Sequence, residues 1–146
     1  MRQDAFLAAI DETAIVAAIQ QAEARSRGEI RVHVAEGLVS DPRRAAEADF
    51  ERLGMTATAE RNGVLVLIAP ESRSFAVIGD RGIHERVPEG FWDALAAELG
   101  AEFASGRFTS GIVRVVGRVA DELERHFPRR PGDADVNELP DSVSRD

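Results

Sequence analysis

The sequence predicts a three-layer α/β/α sandwich, in which a small mixed β-sheet is covered by helices. Three observations lead there. The stretch GVLVLIA, Gly63 to Ala69, is apolar on both faces, as a central strand shielded on each side must be. A second apolar run, Ser74 to Asp80, follows directly after the turn Pro70, Glu71, Ser72, Arg73, a length that makes the two strands antiparallel neighbours. Upstream, Ile30, Val32 and Val34 alternate with Arg31, His33 and Ala35 in a half-buried, edge-like strand. A helical connection from that strand to the central one is a right-handed crossover, so those two strands are parallel.

The remaining elements follow in order. A short turn through Phe6, Leu7 and Ile10 precedes a helix that Asp11 caps, which runs to about Arg27 with Ile15, Ile19 and Ala22 on one face and ends at Gly28. Asp41 followed by Pro42 is a helix start, with Ala46, Phe50 and Leu53 on the buried side and Gly54 at the end. After the hairpin, Phe91, Leu95, Leu99 and Phe103 recur at helical spacing up to Gly106. A last helix, capped by Thr109, carries Ile112, Val116, Val119, Leu123 and Phe127. The domain therefore covers residues 1–128, and residues 129–146 form a polar, partly ordered arm in which NELPD is a docking element carrying Leu139.

Composition removes several function classes. With no cysteine there is no disulfide framework, thiolate metal site or cysteine nucleophile. All 18 cationic residues are arginine, which removes a P-loop lysine and any Schiff-base lysine. The 26 acids give a net charge of −8, unfavourable for nucleic-acid phosphates and for anionic lipid. Asp4, Asp11 and Glu12 interrupt the N-terminal apolar stretch before a signal-peptide core or membrane span can form. The expectation is a soluble, cytoplasmic chain without direct membrane insertion.

The topology brings particular side chains to one end of the sheet. If the first two strands are parallel and the third returns antiparallel, Glu29, Arg61, Asn62 and Asp80 share a neighbourhood. Two carboxylates and an amide suit a hard cation such as Ca²⁺ or Mg²⁺, and the arginine suits a phosphate. The alternative is an ion pair from Arg61 to Asp80 or Glu29 that locks the sheet end. His84, four residues beyond Asp80, is placed to join as a proton donor. A second candidate lies at the opposite end, where Asp41 with Glu36 and Ser40 follows the carboxyl edge of the first strand; Asp41 also has a local role as helix cap.

Other signals carry less. Asp133, Asp135 and Asn137 mimic the opening of an EF-hand loop, but Glu138 replaces its glycine and Ser144 its bidentate glutamate. His33, His84 and His126 show no metal-ligand spacing, which leaves surface or capping roles. There is no GxSxG elbow for a hydrolase triad.

The ordered set AIQQAEARSRGEIRVHV, the DP helix, RNGVLVLIAP, FAVIGDRGIHERVP, the aromatic FW and the closing HFP with NELPD resembles the TPM domain, from about Asp11 to Asp141. That family is named for a thylakoid lumen protein of photosystem repair, a nematode receptor-associated protein and bacterial relatives. The resemblance implies the α/β/α sandwich and an association with divalent-cation binding, with weak acid phosphatase activity in the plant branch, and with repair or assembly of membrane complexes. Without a signal peptide or membrane anchor, the chain looks like the short soluble bacterial branch, whose implied partners are a membrane-anchored TPM protein or a LemA-type protein. Two functions follow as expectations: a non-catalytic adaptor that binds a divalent cation and docks on another protein, or a weak metal-assisted phosphatase in which Arg61 steadies the phosphoryl charge.

Overall fold

The computed structural model describes residues 1–130 and 141–146. Its elements are α1 (Gln3–Ala9), α2 (Glu12–Arg25), β1 (Glu29–Val34), α3 (Pro42–Arg52), β2 (Gly63–Ala69), β3 (Ser74–Gly79), α4 (Arg81–His84), α5 (Phe91–Ala104), α6 (Phe108–His126) and β4 (Ser144–Arg145). The sheet order is β3-β2-β1-β4. β1 and β2 run parallel with Glu29 opposite Gly63, and β2 and β3 run antiparallel with Val64 opposite Gly79.

Strand alternation divides the core. Ile30, Val32, Val34, Val64, Val66, Ile68 and Val77 face one way and pack with Ile15 and Ile19 of α2, Leu95 and Leu99 of α5, and Ile112, Val116 and Leu123 of α6. Leu65, Leu67 and Ala76 face the other way, onto Ala46 and Phe50 of α3 and onto Met55. One face thus carries α2, α5 and α6 and the other carries α3, the expected three-layer sandwich. Each fully buried Leu, Ile or Phe contributes about 1.5–3 kcal/mol by leaving water, so this double-sided burial dominates the stability.

Local chemistry sets the helix ends. Asp11 Oδ1 accepts from Ala14 N at 3.1 Å and Asp41 Oδ1 from Arg44 N at 3.1 Å, satisfying backbone donors that the first turn leaves open. α2 stops at Arg25, two residues short of the expected end. Thr109 does not cap α6, which begins at Phe108 behind Arg107; its hydroxyl instead accepts the Asp11 N–H at 3.0 Å and ties the starts of α2 and α6 together.

Two expectations are corrected on the far side of β1. β1 is not an edge, because β4 pairs with it in parallel, His33 opposite Ser144. His33 accordingly is not a surface residue but fully buried. The end of the polar arm thus forms part of the sheet; the EF-hand-like residues Asp133, Asp135 and Asn137 and most of NELPD lie outside the described residues.

Candidate functional site

The N-terminal end of β1 and β2 is where the predicted residues meet. Asp80 N donates to Gly63 O at 2.8 Å, and Glu29 stands beside Gly63 in register. From there the four side chains take different partners. Asp80 accepts from Arg61 Nε at 2.7 Å and Nη2 at 3.0 Å, and from Arg81 N at 2.8 Å as the cap of α4. The Arg61 backbone is left-handed at φ 52°, and its carbonyl accepts from Gly82 N at 2.8 Å. A side chain on Gly82 would lie 2.6 Å from that oxygen, so only glycine fits there. This half of the predicted site has the bonding of a structural lock: a bidentate charge-assisted pair closing the sheet end.

Asn62 is held by its own bonds, with Nδ2 donating to Arg27 O at 3.1 Å and its backbone N donating to Thr58 Oγ1 at 3.3 Å. Its Oδ1 is sealed from solvent without a hydrogen-bond partner among the described residues.

Glu29 belongs to a different group. Glu23, Glu29 and Asp141 each offer a carboxylate oxygen, and these oxygens all lie within 4.8 Å of one another. Glu23 comes from the last turn of α2, Glu29 opens β1, and Asp141 comes from the C-terminal segment. Glu23 Oε2 also accepts from Ile30 N at 3.3 Å, which fixes the carboxylate against the sheet. Arg129 donates to the carbonyls of Ala24 at 3.1 Å and Glu23 at 3.0 Å, pinning the arm's root beside the cluster.

Three carboxylates this close cannot all stay ionised. Burial first, then hydrogen bonds to Asp141 and Glu29 and the charges of those two groups, push the Glu23 carboxyl from its ordinary 4.5 up to about 11. It therefore keeps its proton at neutral pH and donates it within the cluster. Asp141 Oδ1 is sealed from solvent and accepts no hydrogen bond among the described residues. An all-oxygen set with an unsatisfied acceptor matches the ligand chemistry of Ca²⁺ or Mg²⁺.

The other predicted residues lie apart from this cluster. His84 is exposed, and its Nδ1 accepts from Trp92 Nε1 at 3.0 Å; it touches Asp80 through the backbone, donating to Asp80 O at 2.8 Å. Asp41 caps α3 at the opposite end of the sheet.

A second acidic group surrounds His33. Its Nε2 donates to Asp146 Oδ1 at 2.8 Å and lies 3.9 Å from Asp49, while Nδ1 is 2.7 Å from Ser144 Oγ. Arg52 Nη2 is 2.9 Å from Asp49 Oδ1 and 3.1 Å from Asp146 Oδ1, so a guanidinium already neutralises both carboxylates. Burial pushes the Asp146 carboxyl up, but the Glu36 N–H, the His33 hydrogen bond and charge, and Arg52 outweigh it and hold it below its usual range. This arrangement fastens β4 rather than awaiting a cation.

Sequence reasoning missed Glu23 and Asp141 as partners of Glu29, and Asp49 and Asp146 as partners of His33. For Glu23 a signal exists: it continues Ile15 and Ile19 at intervals of four, an acid on the buried stripe of α2.

Comparison with known proteins agrees with the fold. The family model described as TPM domain matches residues 1–122. The NMR structure of the BA42 protein from the psychrophilic bacterium Bizionia argentinensis is 36% identical over 92% of this chain and 92% of that chain, with a TM-score of 0.82. The solution structure of the N-terminal domain of a P. gingivalis protein is 18% identical over 78% of this chain and 76% of that chain, TM-score 0.60, a likeness of fold. No curated protein matches. The chain belongs to the TPM domain family.

Proposed function

We propose that the protein is a non-catalytic TPM-domain adaptor that binds one Ca²⁺ or Mg²⁺ at Glu23, Glu29 and Asp141 and docks on another protein in the assembly or maintenance of membrane complexes. The observation that carries the cation half is the convergence of three carboxylates within 4.8 Å at the sheet end, Glu29 buried and Glu23 and Asp141 half-buried. A bound cation supplies the charge that Glu23 otherwise obtains by keeping a proton. Because Asp141 lies in the C-terminal segment, the same ion joins that segment to α2 and β1. Against the phosphatase alternative, the described residues offer no activated nucleophile, and the Arg61 guanidinium is committed to Asp80. Among the described residues no single helix is long and apolar enough to cross a membrane.

Thermal unfolding with and without calcium tests the reading. At calcium one hundredfold above the dissociation constant, binding adds about 2.7 kcal/mol, which for a domain of this size raises the Tm by roughly 5–10 °C. In Glu29→Gln the rise is expected to vanish. An equal rise in both proteins, or none in the wild type, contradicts the site.

A further inference from the structure

Among the described residues the sheet has one long open edge: in the order β3-β2-β1-β4, β3 pairs with β2 on one side and with no described strand on the other. Edge strands in soluble proteins are normally protected by charges, proline or a bulge, because their outward N–H and C=O groups template pairing with another chain. β3 reads SFAVIG and carries no charge and no proline. Its register with β2 is continuous from Val64–Gly79 to Ala69–Ser74, with no bulge.

A groove of about 840 Å³ runs along this edge. It is lined by Phe75 through Gly79, by Pro42, Arg43 and Glu47 of α3 on one face, and by Trp92, Asp93 and Ala96 of α5 on the other. The edge is thus reached between α3 and α5, a setting that suits an extended occupant. Gly79 contributes the shape: a Cβ there would sit 2.4 Å from the Trp92 ring, and its absence lets the indole close against the strand end. Trp92 is fixed in turn by its hydrogen bond to His84, which also lines the groove.

Charge selects the occupant. Glu47, Glu89 and Asp93 line the groove with Arg43, and Arg43 pairs with Glu47 at 3.6 Å, which leaves Glu89 and Asp93 as its uncompensated charges. Glu89 and Asp93 are exposed, and neither forms an ion pair among the described residues. Pairing of two β3 edges from two copies would bring these acids together in chains of net charge −8, which disfavours self-association.

We propose that β3 is a docking edge that takes an extended peptide segment of a partner protein by β-strand addition, the segment carrying arginine or lysine beside apolar residues. Backbone hydrogen bonds to the outward groups of β3 supply affinity, the half-buried Ile78 on the α3 side takes the apolar side chains of one face of the segment, and Trp92 with Glu89 and Asp93 on the α5 side takes the basic side chains of the other. This specifies the docking half of the function proposed above and stands independently of the cation. His84, placed in the sequence reading beside Asp80 as a proton donor, acquires a role here as the support of Trp92.

The test is an amide NMR titration with a synthetic hexapeptide of alternating valine and arginine. Slowed amide exchange at residues 75–79, with shifts centred there and extending to Trp92 and Asp93, weakening at least tenfold in the surface variant Glu89→Arg/Asp93→Arg, is expected. A peptide of alternating valine and glutamate, and an N-methylated basic peptide unable to pair its backbone, are expected not to bind. Equal binding of the N-methylated peptide reduces the effect to charge adhesion and overturns strand addition, as does binding centred elsewhere or none. A doubled mass by light scattering without peptide assigns the edge to a second copy and overturns the proposed partner. Calcium-induced stabilisation is read separately in the same samples, so loss of peptide binding with the calcium response intact rejects only the docking edge.

Discussion

Glu23→Gln is expected to stabilise the protein by about 2–3 kcal/mol at pH 7 while abolishing its response to calcium. The wild-type carboxyl is pushed up to about 11 by burial and by its bonds and proximity to Asp141 and Glu29. Folded, it keeps its proton at neutral pH; unfolded, with a pKa near 4.5, it releases it. Its contribution is fully present below the unfolded value and is lost progressively as pH rises toward the folded one, at up to ~1.4 kcal/mol per pH unit. Glutamine copies the shape and donor of the protonated carboxyl but gives the unfolded chain nothing to ionise. Urea unfolding at pH 5, 7 and 9 should therefore show a gap between variant and wild type that widens with pH. A constant gap, or a destabilised variant at every pH, would falsify the protonated assignment.

At the proposed site a calcium ion would have to displace this proton, so its affinity is expected to rise with pH, approaching tenfold per unit over the same window. The empty carboxylate cluster is costly, and a bound cation is expected to reverse that.

His33→Ala is expected to cost about 3 kcal/mol, from a cavity in a buried position and from the loss of a charge-assisted bond. Its distinguishing consequence is local. The imidazole links β1 to Ser144 and Asp146, and Asp146 in turn accepts the Glu36 N–H at 2.9 Å through Oδ2. Releasing β4 therefore exposes the Glu36 amide. Hydrogen exchange at Glu36 should accelerate far more than exchange at Val66 in the central strand; unchanged protection at Glu36 would show that β4 is held without His33.

The hairpin and the parallel crossover were legible in the sequence because each leaves a pattern several residues long: the uninterrupted GVLVLIA run, the turn Pro70 to Arg73, and the alternation of Ile30, Val32 and Val34. β4 was not legible. A strand of only Ser144 and Arg145 has no period to detect, and its docking depends on one buried histidine whose alternation with Val32 and Val34 reads equally as an exposed position. Without β4, β1 looks like an edge.

The site was legible in part for a similar reason. Strand direction and register placed Glu29, Asn62 and Asp80 at one sheet end, but register does not decide which way a terminal carboxylate turns. Asp80 turned to Arg61 and the start of α4, whereas Glu29 turned to Glu23 and Asp141. The helix stripe Ile15, Ile19, Glu23 held the missing partner, since an acid on a buried face requires a proton, a cation or an arginine.

Calcium titration followed by amide NMR tests the cation site most directly. Shifts are expected to be largest at Glu23, Glu29, Asp141 and Ile30, whose N–H bonds Glu23, and to saturate at one ion per chain. Shifts centred on Asp41, on the Arg61–Asp80 pair or on His33 and Asp146, or no shifts at all, would contradict a cation site at the end of β1.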